Sequence, residues 1–176
     1  LLYRIRGEYT TEKLIRLGMT VGKNFGRLNG VILDPSHCWL ITIGDNVTMA
    51  PRVHILCHDA STKTFLNYTK IGRVTIGDNV FIGAESVVLP GVTIGSNVVI
   101  GAGSVVTKNI RDNVVAVGNP YRVLRKITEE INREYTRKVQ SYGIQRRQSG
   151  LDETAQPLLH YRKRNQHHYR AWYRSV

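Results

Sequence analysis

Between Pro35 and Ser61 the chain gathers side chains that could do proton chemistry. His37 lies in "PSHCW", and His54, Cys57, His58 and Asp59 lie in "RVHILCHDAS". An imidazole with a pKa near ~6.5 can take up and return a proton at neutral pH, so His58 is the candidate general base. It stands where an apolar run gives way to the polar and aromatic stretch "DASTKTFLNYTKIGR". A base at the root of a loop can face a ligand lying on a rigid scaffold. His54 is the second choice, because its place inside the apolar run suits packing or the wall of a site. Asp59 could orient His58, although neighbouring side chains on an extended segment point apart. Cys57 reads as packing.

The chain has 176 residues and 41% hydrophobic content, enough for one ordinary domain with a real core. Its formal net charge is +12. Such a balance suits nucleic acid, an anionic lipid surface or a phosphorylated ligand. Its distribution narrows the choice. Lys and Arg are absent from Val74 to Val106, resume at Lys108, and are densest in "HYRKRNQHHYRAWYR" near the end. That tail reads first as a solvating segment, with weak contact to a membrane surface as the alternative; nucleic acid is the less favoured partner. Two cysteines, Cys38 and Cys57, make neither a disulfide framework nor a zinc quartet, which favours a reducing, cytoplasmic setting. No apolar run approaches the ~20 residues of a membrane span. Arg4 and Arg6 interrupt the opening "LLYRIRGEYTTEKL", so it does not read as a signal peptide.

The elements that must hold these residues are set by a period of six. Ile76, Ile82, Val88, Ile94, Ile100 and Val106 follow one another at that step, and Gly follows four of them. A helix repeats near 3.6 residues and a strand at 2, so neither alone explains the pattern. A coil of short strands joined by corners does. The aliphatic residue points inward and stacks on its counterparts, while Gly-Asp-Asn, Gly-Ser-Asn and Gly-Ala-Glu form the corners. One unit cannot bury its apolar side alone, so the coils must stack into a parallel β-helix. The step recurs at Ile43, Met49 and Ile55, and at Val21, Arg27 and Leu33. A break in phase falls around "PSHCWLIT", and three surplus residues fall between Ile55 and Ile76.

The fold class is therefore all-β, a single-stranded parallel β-helix with a protruding loop and a helix at each end. Residues 1–20 are the N-terminal helical segment, with a short helix over 8–17 capped by Thr10 or Thr11. Residues 21–120 are the coil and carry the catalytic site, with the loop at about 59–75. Residues 121–176 are a short connection, a helix with Glu129 and Glu130 in its first turn, and the basic tail.

The stretch from "VTIGDNVFIGAESVVLPGVTIGSNVVIGAGSVVTK" to "GNPYRVLRKI", with "ITIGDNVTMAPRVHILCHD" before it, resembles the hexapeptide-repeat acyltransferases. It is most similar to the maltose/galactoside O-acetyltransferase branch, over about residues 20–127. The resemblance implies a left-handed β-helix; handedness does not follow from the period. It also implies a homotrimer with active sites at subunit interfaces, acetyl-CoA as co-substrate, a sugar or polysaccharide precursor as acceptor, with an amino sugar, serine or a xenobiotic as the alternative, and no required metal. His58 would take the proton from the acceptor hydroxyl, which attacks the thioester directly. Lys108, Arg122 and Arg125 match positions near the CoA phosphates, and Ala84, Ala102 and Thr107 match other cofactor-lining positions. Ala84 stands where the family has a serine, keeping the backbone N–H but not the hydroxyl. Asp34, Asn29 and Phe81 match or neighbour the acceptor-binding positions, Phe81 in place of a family tryptophan. The segment after Asp34 carries three extra residues. A rival within the same repeat class is the γ-type carbonic anhydrases, whose three histidine ligands, converging on one zinc or iron ion across a subunit interface, would correspond to His37, His54 and His58.

Overall fold

The computed structural model describes residues 9–141. The first eight residues and the basic tail expected beyond residue 143 lie outside them. Among the described residues, no helix is long and apolar enough to cross a membrane.

The chain enters through α1 (Thr11–Arg16), whose N-cap is Thr10. The Thr10 hydroxyl accepts the Lys13 amide at 3.2 Å, which satisfies a donor that the first turn leaves open. The first coil follows as β1 (Thr20–Val21), β2 (Gly26–Arg27) and β3 (Ile32–Leu33), and the second as β4 (Ile41–Ile43), β5 (Thr48–Met49) and β6 (His54–Ile55). The chain then leaves the coil through β7 (His58–Asp59), α2 (Lys63–Leu66) and β8 (Lys70–Ile71). It returns for a third coil, β9 (Val74–Ile76), β10 (Val80–Ile82) and β11 (Val87–Val88), and a fourth, β12 (Thr93–Ile94), β13 (Val98–Ile100) and β14 (Val105–Val106). β15 (Val114–Val117), β16 (Arg122–Lys126) and α3 (Glu129–Ser141) complete the described chain.

Corresponding strands of successive coils pair in parallel and make three sheets. The first holds β1, β4, β9 and β12; the second β2, β5, β10, β13, β15 and β16; the third β3, β6, β11 and β14. The register matches the period of six. Ile43, Ile76 and Ile94 align in the first sheet, Met49, Ile82 and Ile100 in the second, and Ile55, Val88 and Val106 in the third. All of them are buried. Each such side chain withdrawn from water contributes roughly 1.5–3 kcal/mol, before the entropy of ordering the chain is counted. Arg27 takes the inward position of the first coil, at the end of the stack. Its guanidinium donates to the carbonyls of Tyr9 at 2.8 Å and Val31 at 2.7 Å.

The corner between the first and second sheets is built from asparagine. Asn24, Asn46, Asn79, Asn97 and Asn113 all have φ between +55 and +59°, a region Asn tolerates better than other side chains. Their carboxamides form a ladder: each Nδ2 donates to the Oδ1 of the next coil at 2.9, 3.0, 3.1 and 3.0 Å. The "GDN" and "GSN" triplets thus turn the chain and also join the coils.

Two details depart from the sequence reading. Residues 122–126, read as a connection, are a strand: β16 runs antiparallel to β15 with a bulge at Val115 and Ala116, and covers the otherwise open edge of the second sheet. The excursion after the second coil also has structure of its own. β7 and β8 pair antiparallel, His58 opposite Ile71 and Asp59 opposite Lys70, with α2 between them. Gly72 brings the chain back, its amide donating to the Cys57 carbonyl at 2.9 Å. A Cβ there would lie 2.5 Å from the Gly91 backbone nitrogen, so only glycine lets the return segment lie against the next coil.

The ladder makes a test of stability. Asn79→Ala loses both the left-handed tolerance and two side-chain bonds, and should cost about 1–3 kcal/mol in urea unfolding. Asn79→Gly keeps the backbone tolerance and should cost less. The reverse order would mean that the left-handed backbone of this corner does not set what the position requires.

Candidate active site

The site lies at the turn from the third sheet to the first, where the first two coils are irregular. Asp34 follows β3 and is 1% exposed. Its own amide donates to the Ile55 carbonyl at 3.0 Å, which fixes it beneath the start of the excursion. His58 Nδ1 lies 2.6 Å from Asp34 Oδ2, and the Cys57 amide donates to the same oxygen at 2.8 Å. The other oxygen, Oδ1, accepts the Ser36 hydroxyl at 2.8 Å. That hydroxyl is 3.0 Å from His37 Nδ1, so Ser36 accepts from His37 while donating to Asp34. The His37 and His58 rings lie 4.8 Å apart between centroids.

Burial alone would push the Asp34 carboxyl up. The hydrogen bonds from His58, Ser36 and the Cys57 amide outweigh it, and the pKa falls below the ordinary carboxylate value. An ionised Asp34 accepts a proton-bearing Nδ1, so the neutral His58 ring carries its lone pair on Nε2. The His58 side chain is 37% exposed, which leaves this nitrogen access to a ligand. The result is a buried carboxylate, an oriented imidazole and a free basic nitrogen, the pair needed to deprotonate a hydroxyl.

The remaining residues singled out from the sequence fall on several parts of the scaffold. Asp34, expected at the acceptor, is instead buried under His58 with both oxygens engaged. Asp59, considered as the orienting acid, accepts the Ser61 amide at 2.9 Å and opens the excursion; that bond, chiefly, lowers its pKa. His54 sits in β6 between Ile32 and Val87, outside the pair. Cys57 is buried, and burial followed by the Asp34 charge pushes its thiol up to about 12, so it stays protonated. Thr107 and Lys108 are exposed on the same prism edge as His58, two coils further along. Asn29, Ala84 and Ala102 occupy the edge between the second and third sheets. There the turns stack through Arg52 amide to Asn29 carbonyl at 3.1 Å and Gly103 amide to Ala84 carbonyl at 2.8 Å. Phe81 faces outward from the second sheet, half-exposed. Arg122 and Arg125 lie on β16, opposite Val117 and Val115.

Sequence reasoning missed Ser36 and the part played by His37. Both lie in "DPSHCW", where the six-residue phase breaks, and that break was the available signal. Among the described residues, Asp34, His37 and His58 form the one group whose donor atoms could surround a metal ion, lying within 4.8 Å of one another. His54 is not in it, so among the described residues the three histidines of the carbonic anhydrase reading do not converge within one chain.

Comparisons with known proteins bear on the family and the fold. The family model described as "Bacterial transferase hexapeptide (six repeats)" matches residues 73–108. Protein CapG of Staphylococcus aureus is 41% identical over 143 residues, covering 73% of this chain and 80% of that protein. The crystal structure of a maltose O-acetyltransferase from Clostridium difficile 630 is similar with a TM-score of 0.55 and 46% identity, covering 64% of this chain and 60% of that one. A galactoside acetyltransferase in complex with coenzyme A gives a TM-score of 0.53 and 32% identity, covering 74% of this chain and 78% of that one. The chain belongs to the hexapeptide-repeat acyltransferases, in the branch that holds the maltose and galactoside O-acetyltransferases. Its β-helix is of the left-handed kind that the resemblance implied. It spans little more than half the length of several other curated relatives that it matches.

The lowered Asp34 pKa predicts an acid dependence. Stability held by an ionised, hydrogen-bonded carboxylate is complete above the unfolded pKa of about 3.9 and drains away as pH falls through the lower folded value. Asp34→Asn should therefore be less stable than wild type in urea at neutral pH, and the gap should narrow below about pH 4. A gap that is constant across this range would contradict the assignment.

Proposed function

We propose that the chain is an acetyl-CoA-dependent O-acetyltransferase acting on a hydroxyl of a sugar or polysaccharide precursor, with His58 as general base and Asp34 orienting it. The observation that carries the proposal is the 2.6 Å contact between His58 Nδ1 and the buried Asp34 carboxylate, with the ring half open to solvent. The acceptor hydroxyl gives its proton to His58 Nε2 as its oxygen attacks the thioester carbonyl. The tetrahedral intermediate collapses, the C–S bond breaks, and the CoA thiolate takes the proton back from the imidazolium. Asp34 remains ionised and stabilises the transient cation. No acyl-enzyme forms, which suits a Cys57 thiol held protonated. Lys108, Arg122 and Arg125 meet the CoA phosphates, and Ala84, Ala102 and Thr107 line its arm. An acetyl-CoA donor and two free, buried cysteines suit a cytoplasmic enzyme.

The placement of these residues favours an active site between copies. His58, Thr107 and Lys108 occupy one prism edge; Asn29, Ala84 and Ala102 occupy the next. A second copy, laying its second-to-third-sheet edge along the third-to-first-sheet edge of the first, brings the two sets to one groove. Repeated around a three-fold axis, the contact closes into a homotrimer. The excursion carries exposed Phe65, Leu66 and Tyr68, apolar area that such a neighbour would cover.

Two experiments test the proposal. His58→Ala should lower turnover at least ~100-fold, read as thiol released from acetyl-CoA, with acetyl-CoA affinity nearly unchanged; an active variant would refute the base. His58→Ala and Ala102→Trp should each be inactive alone and regain activity when co-expressed, because mixed trimers rebuild one intact groove. Failure of two folded variants to complement would put all these residues in a single chain.

A further inference from the structure

The segment Pro35–Leu40 is the part of this turn that the six-residue repeat does not explain, and it carries an exposed large apolar side chain, Trp39. The indole is 52% exposed, although it stands in a rigid surround. Cys38 on one side is buried, its thiol directed at the Leu14 and Leu17 carbonyls at the end of α1. Ile41 on the other side begins β4. Leu40 donates its amide to the His37 carbonyl at 3.0 Å, closing a single turn. Gly18, with φ +105°, lies under Trp39: a Cβ there would approach the Trp39 Cβ to 2.9 Å, so glycine makes the room in which Trp39 stands. The fold thus fixes an aromatic face that it does not cover.

That face is aimed by its neighbours. The Trp39 ring lies 5.2 Å from the His37 ring at 42°, and the His37 ring lies 4.8 Å from that of His58. One imidazole separates the indole from the base. Its Nδ1 is held by Ser36, so its other nitrogen is left to meet a hydroxyl. A flat apolar face beside a polar nitrogen and a base matches a pyranose, whose C–H face stacks on an aromatic ring while its hydroxyls point from the rim.

The geometry points to an acceptor subsite formed by Trp39 and His37, which holds a pyranose ring by stacking and presents one of its hydroxyls to His58. This inference rests on the O-acetyltransferase reading and narrows its acceptor to a ring sugar recognised by the extra residues after Asp34. Trp39 here is a specificity-determining residue, and its contribution falls on binding of the acceptor.

The test uses the full chain with methyl β-galactopyranoside, maltose and N-acetylglucosamine as pyranose acceptors and serine as an open-chain hydroxyl. Trp39→Ala should raise KM for the accepted pyranoside roughly 3- to 10-fold, with kcat and KM for acetyl-CoA unchanged, and Trp39→Phe should restore most of the affinity. Binding is read separately from turnover in the His58→Ala variant, by NMR of the Trp39 indole N–H. The accepted pyranoside should shift this signal, and serine should not. An unchanged acceptor KM in Trp39→Ala, with wild type still acetylating a pyranoside, would overturn the subsite and leave the O-acetyltransferase reading standing. Acetylation of serine in preference to every pyranoside, or no shift of the Trp39 signal with any of the three, would also overturn it. An active His58→Ala would instead defeat the reading on which the subsite rests.

Discussion

One buried negative charge organises the candidate site of this molecule. The Asp34 carboxylate is out of water, and a lone ion in that position would be costly. It is retained because three donors converge on it from different places: the Cys57 amide at the end of the second coil, the His58 ring on the departing ribbon, and the Ser36 hydroxyl in the irregular turn. Each bond that satisfies the charge also positions something. The amide bond locks the second coil to the first, the imidazole bond selects the tautomer of His58, and the hydroxyl passes the network on to His37. Stability and proton chemistry draw on the same atoms.

The coil supplies what this network requires, a fixed distance between successive levels. Strands stack at a spacing of roughly 4.8 Å, and the inward isoleucines and valines leave little freedom for one level to slide over the next. The asparagine ladder and the matching backbone bonds to Asp45, Asp78 and Asp112 hold the opposite corner. With two corners regular, the third can be irregular without loss of the fold. Both departures from the repeat, the turn after Asp34 and the excursion after His58, use that third corner. The candidate site lies where the lattice of hydrogen bonds is least demanding.

This division also explains what the sequence could reveal. The prism was legible because its core is periodic: Ile76 to Val106 repeat in step, and the register follows that step. His58 stood out as a candidate because it lies at the edge of the repeat, before a polar stretch. The role of Asp34 was not, because its partner is 24 residues away and meets it only when two coils stack; a corner aspartate looks the same whether it serves the backbone or a base. Trp39 and Ser36 were hidden for the same reason, lying where periodicity fails and local propensity says little. β16 escaped notice because a strand that caps a sheet has no successor, and so leaves no repeat to find. Its "RVLRK" reads as surface chain until the antiparallel pairing with β15 is seen.

The claim at the centre of this account is that the ionised Asp34 holds the proton of the neutral His58 ring on Nδ1 and leaves Nε2 bare. Nitrogen NMR of the imidazole in the full-length protein measures this directly. The account predicts a protonated Nδ1 and an unprotonated Nε2 in the neutral ring, with Asp34→Asn weakening that preference. A neutral His58 with its proton on Nε2 would contradict it.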